Sequence, residues 1–283
     1  MPDSNRFRIL ACALTAACVA PAWASDFGLP ALPFAATQEE AQDGDEAAVA
    51  EADETPDFWS GWTRSAELGI SGSSGNTDEF DLRAIFQTER ETDALRTLFR
   101  ARYLYGEEDG SASENEWLLR GENDWLFPGE RYFVFAFGVY EFDEFEDWDT
   151  RLQLFAGGGY DFLTDRSLLD GGNDRASLKG RLGAGVTREF GTDDDEFRPE
   201  ALIGLDFLWE INEGQTFAAG TEVFPSLNDL GEIRAVSYAN YDILLSEENN
   251  LTLRLGVEHE YDSNTDDADE NDLKYFITIL ATF

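Results

Sequence analysis

The residues that could carry chemistry are few. One imidazole is present in the 283-residue chain, His259. It falls among alternating apolar residues, and no serine stands with it in a recognisable nucleophile motif. Two acidic runs, Asp193-Asp194-Asp195-Glu196 and Asp266-Asp267-Ala268-Asp269-Glu270, offer hard carboxylate oxygens of the kind Ca²⁺ takes. Neither has the full spacing of an EF-hand loop, so solvated acidic loops are the expectation. The two cysteines, Cys12 and Cys18, both lie near the start of the chain. No zinc-ligand spacing, phosphate loop or dinucleotide fingerprint appears. Acidic side chains are too common throughout for a glycosidase pair to be picked out. The expectation is a protein without catalytic, metal or cofactor residues, hence not an enzyme. A net charge of −39 also excludes binding nucleic acid through a basic patch.

The chain divides by composition. Residues 1–24 read as a secretory signal peptide: Arg6 and Arg8 form a basic start, Ile9 to Ala20 a short apolar run, and Ala22-Trp23-Ala24 a cleavage site. Cleavage after Ala24 would remove both cysteines. A lipoprotein signal acylated at Cys18 is the alternative, poorly matched by Thr15-Ala16-Ala17. Residues 25–57 are rich in Ala, Glu, Asp and Gln and lack the apolar surface to offset the entropy of ordering, which predicts an acidic disordered spacer.

From residue 58 to the end, the pattern has period two. In 250–262, Leu251, Leu253, Leu255, Val257, His259 and Tyr261 share one face, and Thr252, Arg254, Gly256, Glu258, Glu260 and Asp262 the other. Side chains of a strand alternate between faces in this way. Twelve such segments are expected, near 59–71, 79–90, 94–106, 113–126, 131–143, 148–163, 176–190, 197–211, 214–224, 231–245, 250–262 and 271–283. Most are about 10–15 residues long, where soluble strands average about 5–6 and a tilted membrane-crossing strand needs about 9–11. The length favours an all-β fold, an antiparallel transmembrane β-barrel of about twelve strands, over a soluble sandwich. No apolar run is long enough for a membrane-spanning helix.

In such a barrel the apolar face meets lipid and the charged face meets the lumen. The candidates for lining the lumen are Glu67, Asp81, Arg83, Arg96, Arg100, Arg102, Arg120, Glu122, Arg181, Asp206, Asp242 and Arg254. Charges of both signs on neighbouring strands are expected to pair across the interior. Aromatics near segment ends, among them Trp59, Trp117, Trp125, Tyr132, Tyr140 and Trp148, suit interfacial girdles. Short links at 91–93, 127–130, 212–213 and 247–249 would lie on the periplasmic side. Longer ones, including 107–112, would lie outside. The link 164–175 breaks that rule. An even strand count places both termini in the periplasm.

Three stretches carry a family resemblance: Leu68-Gly69-Ile70-Ser71-Gly72-Ser73-Ser74-Gly75-Asn76-Thr77, Tyr103-Leu104-Tyr105-Gly106, and Gly157-Gly158-Gly159-Tyr160. With a final Phe283 after alternating apolar residues, residues 59–283 resemble the salt-induced outer-membrane protein family, a family of unknown function. The glycines and Asn76 are also what a tight turn needs, with no ligand involved. The resemblance implies a Gram-negative outer-membrane barrel and a link to osmotic stress, with no catalytic residues to carry over. Tyr275 and Phe283 resemble the terminal signal read by the barrel-assembly machinery. Outer-membrane lipids and lipopolysaccharide are the other implied partners. The functional expectation is a non-enzymatic barrel, structural or a narrow porin-like route for small solutes. The alternatives are a membrane-embedded lipid-modifying enzyme using His259, and a barrel binding surfaces through Ca²⁺ on its acidic loops.

Overall fold

A computed structural model of the chain describes residues 59–73, 78–146, 148–169, 172, 174–192, 196–229, 231–263 and 270–283. The expected leader with its cleavage site at Ala24, the acidic spacer, the Ser74 to Thr77 turn and most of both acidic runs lie outside the described residues.

Twelve strands form: β1 (Thr63–Ser73), β2 (Glu79–Glu91), β3 (Leu95–Glu108), β4 (Ser111–Leu126), β5 (Tyr132–Asp143) and β6 (Thr150–Arg166), then β7 (Arg175–Phe190), β8 (Arg198–Asn212), β9 (Gln215–Pro225), β10 (Ile233–Ser246), β11 (Leu251–Asp262) and β12 (Asn271–Thr282). Each pairs antiparallel with its sequence neighbour, and β12 returns to β1 to close a barrel. Closure removes the open edges that a sheet would otherwise present. One end of the barrel carries Thr63 and Thr282 and is called the terminal end here; the other is the far end.

Two expectations change at strand boundaries. The first strand starts at Thr63, not 59, because Trp59 to Trp62 close a turn, with the Trp62 amide donating to the Trp59 carbonyl at 3.1 Å and Gly61 at a φ of +78°. The link expected to span 107–112 shrinks to Asp109-Gly110, at φ of +49° and +82°. Two consecutive left-handed residues are what a tight hairpin matching the strand twist requires. So one far-end connection is as short as any at the terminal end. The unexpectedly long terminal-end link, between β6 and β7, persists.

The chain's two ends meet. The Arg64 amide donates to the Phe283 carbonyl at 3.1 Å and the Phe283 amide returns a bond to Arg64 at 2.8 Å. The Arg64 guanidinium also lies over the Phe283 ring at 5.4 Å and the Trp59 ring at 5.6 Å. Beyond this stitch the seam is incomplete. β1 pairs with β2 along its whole length, Thr63 to Ser73. With β12 it pairs only from Ser65 opposite Thr282 to Leu68 opposite Ile279.

The outer wall is apolar. Leu68, Phe86, Phe99, Leu119, Val134, Leu154, Leu182, Ile203 and Leu255 point out and are exposed. The inner wall is not uniformly polar, which corrects the expectation of a lumen lined by charge. Phe133, Phe135, Phe137 and Val139 of β5 pack with Phe155, Leu202 and Phe224 into a buried cluster. Ring centroids lie 5.3 Å apart for Phe137 and Phe155 and 5.1 Å apart for Phe155 and Phe224. Room for this cluster comes from missing side chains on the next strands. A Cβ at Gly159 would sit 2.1 Å from the Phe133 ring. Large rings from β5 thus fill notches in β6 and β7, the alternation that tight interiors need.

Candidate functional site: a bridged lumen

The inward side chains meet across the barrel. Arg120 of β4 is the central member, with no side-chain exposure. It donates to Glu122 through Nε at 2.9 Å and to Glu222 of β9 at 3.2 Å. The strands β4 and β9 are not neighbours, so the second bond spans the lumen. Its guanidinium lies 4.1 Å from the Phe137 ring centroid, so the cation is stacked as well as paired. Arg181 of β7 bonds Glu122 and reaches Asp124 at 3.4 Å. Around Asp124 gather Lys179 at 3.5 Å and Arg96 at 3.6 Å, and Arg96 also meets Asp161 at 3.4 Å.

A second group ties β10, β11 and β12 to β1, β2, β3 and β4. Arg254 grips Asp242 with two bonds of 2.8 and 2.7 Å and donates to Glu67 at 2.7 Å. Glu67 also accepts from the Thr278 hydroxyl at 2.9 Å. Arg83 grips Glu258 with bonds of 3.0 and 2.6 Å. Arg102 of β3 bonds Glu116 and approaches Glu258 at 3.3 Å. From β12, Lys274 donates to Glu114 of β4 at 2.6 Å. Paired planar guanidinium and carboxylate groups hold both position and orientation. Nearer the far end, Arg151 bonds Glu189 at 2.9 Å and approaches Glu141 at 3.5 Å. It covers the Trp148 ring at 4.3 Å. Trp148 is therefore buried and is not part of an outer girdle.

Of the twelve residues expected in the lumen, Glu67, Arg83, Arg120, Glu122, Arg181, Asp242 and Arg254 are buried, and Arg96, Arg102 and Asp206 are half-buried. Asp206 accepts from the Tyr238 hydroxyl at 3.4 Å. Arg100 is half-buried and makes no ion pair among the described residues. Asp81 is exposed near the far end, where it accepts from the Ser71 hydroxyl at 2.9 Å. Glu222, Glu258, Asp124, Lys274 and Arg234, which donates to Gln153 at 3.0 Å and approaches Glu200 at 3.7 Å, also belong to the network and were not among the lumen candidates. On their own strands Glu258, Asp124 and Arg234 share the parity of Arg254, Arg120 and Asp242, which is the signal that finds them; no lumen candidate falls on β9 or β12, the strands of Glu222 and Lys274. The β5 phenylalanines carry a different signal, since Tyr132 to Val139 is apolar at every position and one of its two faces must point inward.

One cavity of about 60 Å³ is lined by Leu118, Val139, Phe224 and Val236 together with Arg102, Glu116, Glu141, Arg234, Glu258 and Lys274. At about 10–15 Å³ per water, it holds a few waters and no larger solute.

At the terminal end, the β6–β7 link is organised by Asp174, which is buried. Its carboxylate accepts from the Ser167 hydroxyl at 2.6 Å, the Leu168 amide at 2.8 Å and the Trp209 indole at 2.9 Å. The Ser167 bond and then these others hold the acid well below the usual carboxylate range, against the opposing effect of burial.

His259 points outward and stands opposite Ser237 on β10. Its Nε2 meets the Asn271 amide oxygen at 3.1 Å, while the Ser237 hydroxyl pairs with that of Thr221 at 2.9 Å. Serine and histidine are thus each engaged elsewhere. Tyr275 and Phe283 are both exposed. No group of three or more His, Cys, Asp or Glu residues suited to a metal ion occurs among the described residues.

These features define a closed, antiparallel, twelve-stranded barrel with an apolar outer wall and a bridged interior. Residues 66–283 match the family described as protein of unknown function, DUF481, and the chain belongs to that family. No curated protein matches the chain. Among solved structures it is similar to the translocator domain of the autotransporter NalP from Neisseria meningitidis, at 12% identity and TM-score 0.46, covering 79% of this chain and 88% of that one. It is also similar to the COG4313 outer membrane channel from Pseudomonas putida F1, at 10% identity and TM-score 0.44, covering 78% and 95%. The NanC porin is a third, at 11% identity and TM-score 0.42, covering 78% and 97%. At these scores the strand order and register of this chain, rather than the likenesses, carry the fold.

Proposed function

We propose that this protein is a non-enzymatic barrel of the Gram-negative outer membrane. Its lumen is a narrow route for small solutes, walled partly by phenylalanines and bridged by ion pairs that hold it nearly shut at mid-height. The apolar outer wall supports the membrane reading, since so continuous an exposed apolar surface is rare on soluble proteins. Along β4, the exposed Trp117 and Trp125 stand about 26 Å apart at about 3.3 Å per residue. A tilt of about 40° reduces that to about 20 Å, close to the height of an apolar membrane band. An even strand count puts both termini on one side, read as the periplasm. The terminal Tyr275 and Phe283 fit recognition by the barrel-assembly machinery, and lipids with lipopolysaccharide would surround the wall. The link to salt or osmotic stress follows only from the family resemblance and is tested by transcript levels across osmolarity.

The observation that carries the transport reading is Arg120, stacked on Phe137 and bonded across the lumen to Glu222. Refolded protein in planar bilayers tests it. Wild type should show little or no steady current. The double variant Arg120→Ser and Phe137→Ala should open a cation-biased current, since the neighbouring Glu122 and Glu222 would remain. A large steady current through wild type would overturn the closed lumen. Unchanged silence in the double variant would remove Arg120 as the barrier.

A further inference from the structure

Two arginines stand on the outer wall at the terminal end without a carboxylate. Arg64 of β1 shares the outward parity of the exposed Leu68 and Ile70, and Arg90 of β2 that of the exposed Phe80 and Phe86. Thr88 lies directly opposite Arg64 in the ladder. Arg90, two residues further along β2, is then the diagonal neighbour of Arg64, at about 7–8 Å. Among the described residues neither arginine makes an ion pair or a side-chain hydrogen bond. In a chain with 59 acidic residues to 20 basic, two adjacent guanidiniums without an acid run against the composition. Glu89 and Glu91 flank Arg90 in sequence but have the inward parity, and Glu91 pairs with Arg96 at 3.2 Å. No acidic residue holds an outward position on the terminal half of β1, β2, β3 or β12.

The surroundings position these groups and leave their donors free. The Trp59 and Phe283 rings lie over the Arg64 guanidinium, and contacts to its face leave the in-plane N–H groups available. Its Nε is buried and has no partner among the described residues. The turn from Trp59 to Trp62 runs beside Arg90, whose Nε lies 3.6 Å from the place of a Cβ on Gly61. Trp62 reaches across β2 to Phe99 of β3, with ring centroids 6.2 Å apart. Thr88 stands between them in the ladder. It is covered to 6% exposure, and its hydroxyl has no partner either. A buried donor without an acceptor is costly. Arg90 and the in-plane nitrogens of Arg64 are what a ligand meets first, with the Thr88 hydroxyl behind them under Trp62.

We propose that Arg64, Arg90 and Thr88 form a site for the phosphate diester of one anionic glycerophospholipid, held from the inner leaflet at the corner where the barrel closes. The two guanidinium forks would take the non-bridging phosphate oxygens, a contact that suits their planar geometry. Trp59 and Trp62 would sit at head-group depth beside the glycerol. The acyl chains would run along the outer wall past Phe99, Phe86 and Leu68, all exposed. The two arginines also select the head group. The ammonium of a zwitterionic lipid would meet two cations and no carboxylate on this face, so a lipid of net negative charge fits better. The bound lipid would join β1 to β2 and, through Arg64, touch Phe283 at the end of β12. This rests on the reading of the chain as a membrane barrel with its terminal end in the periplasm.

Native mass spectrometry of the refolded full chain in detergent counts bound lipids directly. Phosphatidylglycerol and phosphatidylcholine with the same acyl chains are titrated in parallel. Wild type should take one phosphatidylglycerol at a concentration about thirty-fold below that needed for phosphatidylcholine, the attraction expected of two arginines. Arg64→Gln with Arg90→Gln should abolish the preference. Arg90→Gln alone, at an exposed position with no bond to lose, should lower it about five-fold. That single variant keeps the test open where the double variant does not fold. Arg64→Lys with Arg90→Lys should retain most of the preference. Arg166→Gln removes the same charge from the same end, on β6, and should leave it unchanged. Equal binding of the two lipids by folded wild type overturns the site and leaves the membrane barrel standing. An equal loss in Arg166→Gln also overturns it, since charge at that end, and not this corner, would then attract the lipid. Displacement of phosphatidylglycerol by inorganic phosphate as readily as by lipid would overturn the lipid and give the corner to a free anion. A wild-type chain that forms no heat-modifiable barrel in lipid vesicles overturns both the site and the membrane reading.

Discussion

Arg120 shows what a single side chain does here. It is fully buried, and two carboxylates and a phenyl ring depend on it. Removing one partner of a buried ion pair typically costs about 3–5 kcal/mol, because the remaining charge is left without compensation. Arg120→Ala should therefore destabilise the barrel by about that much, read from urea unfolding in lipid vesicles. Arg120→Met together with Glu122→Gln and Glu222→Gln should recover most of the loss, since no orphan charge remains. A single variant as stable as wild type would mean that water already reaches the site. Asp174 offers a pH test outside the strands. Its acid is held below the ordinary range by the Ser167, Leu168 and Trp209 donors. A carboxylate with a depressed folded-state pKa adds stability that is present above its unfolded pKa of about 3.9 and is lost as pH falls toward the folded value. The β6–β7 link should thus stay resistant to pepsin until pH drops below about 4, and Asp174→Asn should make it cleavable at higher pH.

At the scale of the element, strands that alternate strictly are legible and the one that does not is instructive. In β11, Thr252, Arg254 and Glu258 are buried while Leu255 is exposed, as parity alone demands. The same parity places Arg83 and Glu67 beside each other on β2 and β1. It does not say which partner each guanidinium takes, because that depends on strands that are not neighbours around the barrel, as with Arg83 and Glu258, three strands apart. Arg120 and Glu222 are another such pair, five strands apart in the ring of twelve and so nearly opposite. Nor does a period of two reveal β5, whose apolar residues occupy both faces and whose inner face seeds the buried cluster. The short Asp109-Gly110 turn was equally hidden, since Glu107-Glu108 before it and Ser111-Ala112-Ser113 after it look like a loop until the strands are seen to run through them. The notch at Gly159 makes the cluster testable. Gly159→Val should force the Phe133 ring out of place, at a cost of about 1–3 kcal/mol from overpacking. The compensating Phe133→Ala in the same chain should return part of it.

For the whole molecule, charge and apolar surface are segregated by geometry. The outer wall carries the apolar residues, while many of the arginines are spent on bridges inside. Acidic residues outnumber basic ones, 59 to 20 in the whole chain, for a net charge of −39. Such an excess concentrates cations at a mouth when salt is low and is screened over about 8–10 Å at physiological strength. Any current released by the Arg120 and Phe137 double variant should therefore be more cation-selective at 0.01 M than at 1 M salt, where screening shortens to about 3 Å. Reversal potentials under a salt gradient read this directly, and selectivity indifferent to salt would place the selecting charges deep in the wall. The leader and the acidic spacer are expectations from composition alone, and both lie outside the described residues.

The stitch between Arg64 and Phe283 has a kinetic meaning. Every other ladder joins strands that follow one another in the chain and so can form as local hairpins. This one joins residues almost the full length of the barrel apart, and the loop entropy is spent before any bond there repays it. It is also the shortest ladder, from Ser65 to Leu68 on β1. Closure should consequently be the last and slowest event in refolding. The Arg254, Glu67 and Thr278 contacts that bracket it would then act mainly by keeping a closed ring from springing open. Glu67→Gln should speed unfolding far more than it slows folding.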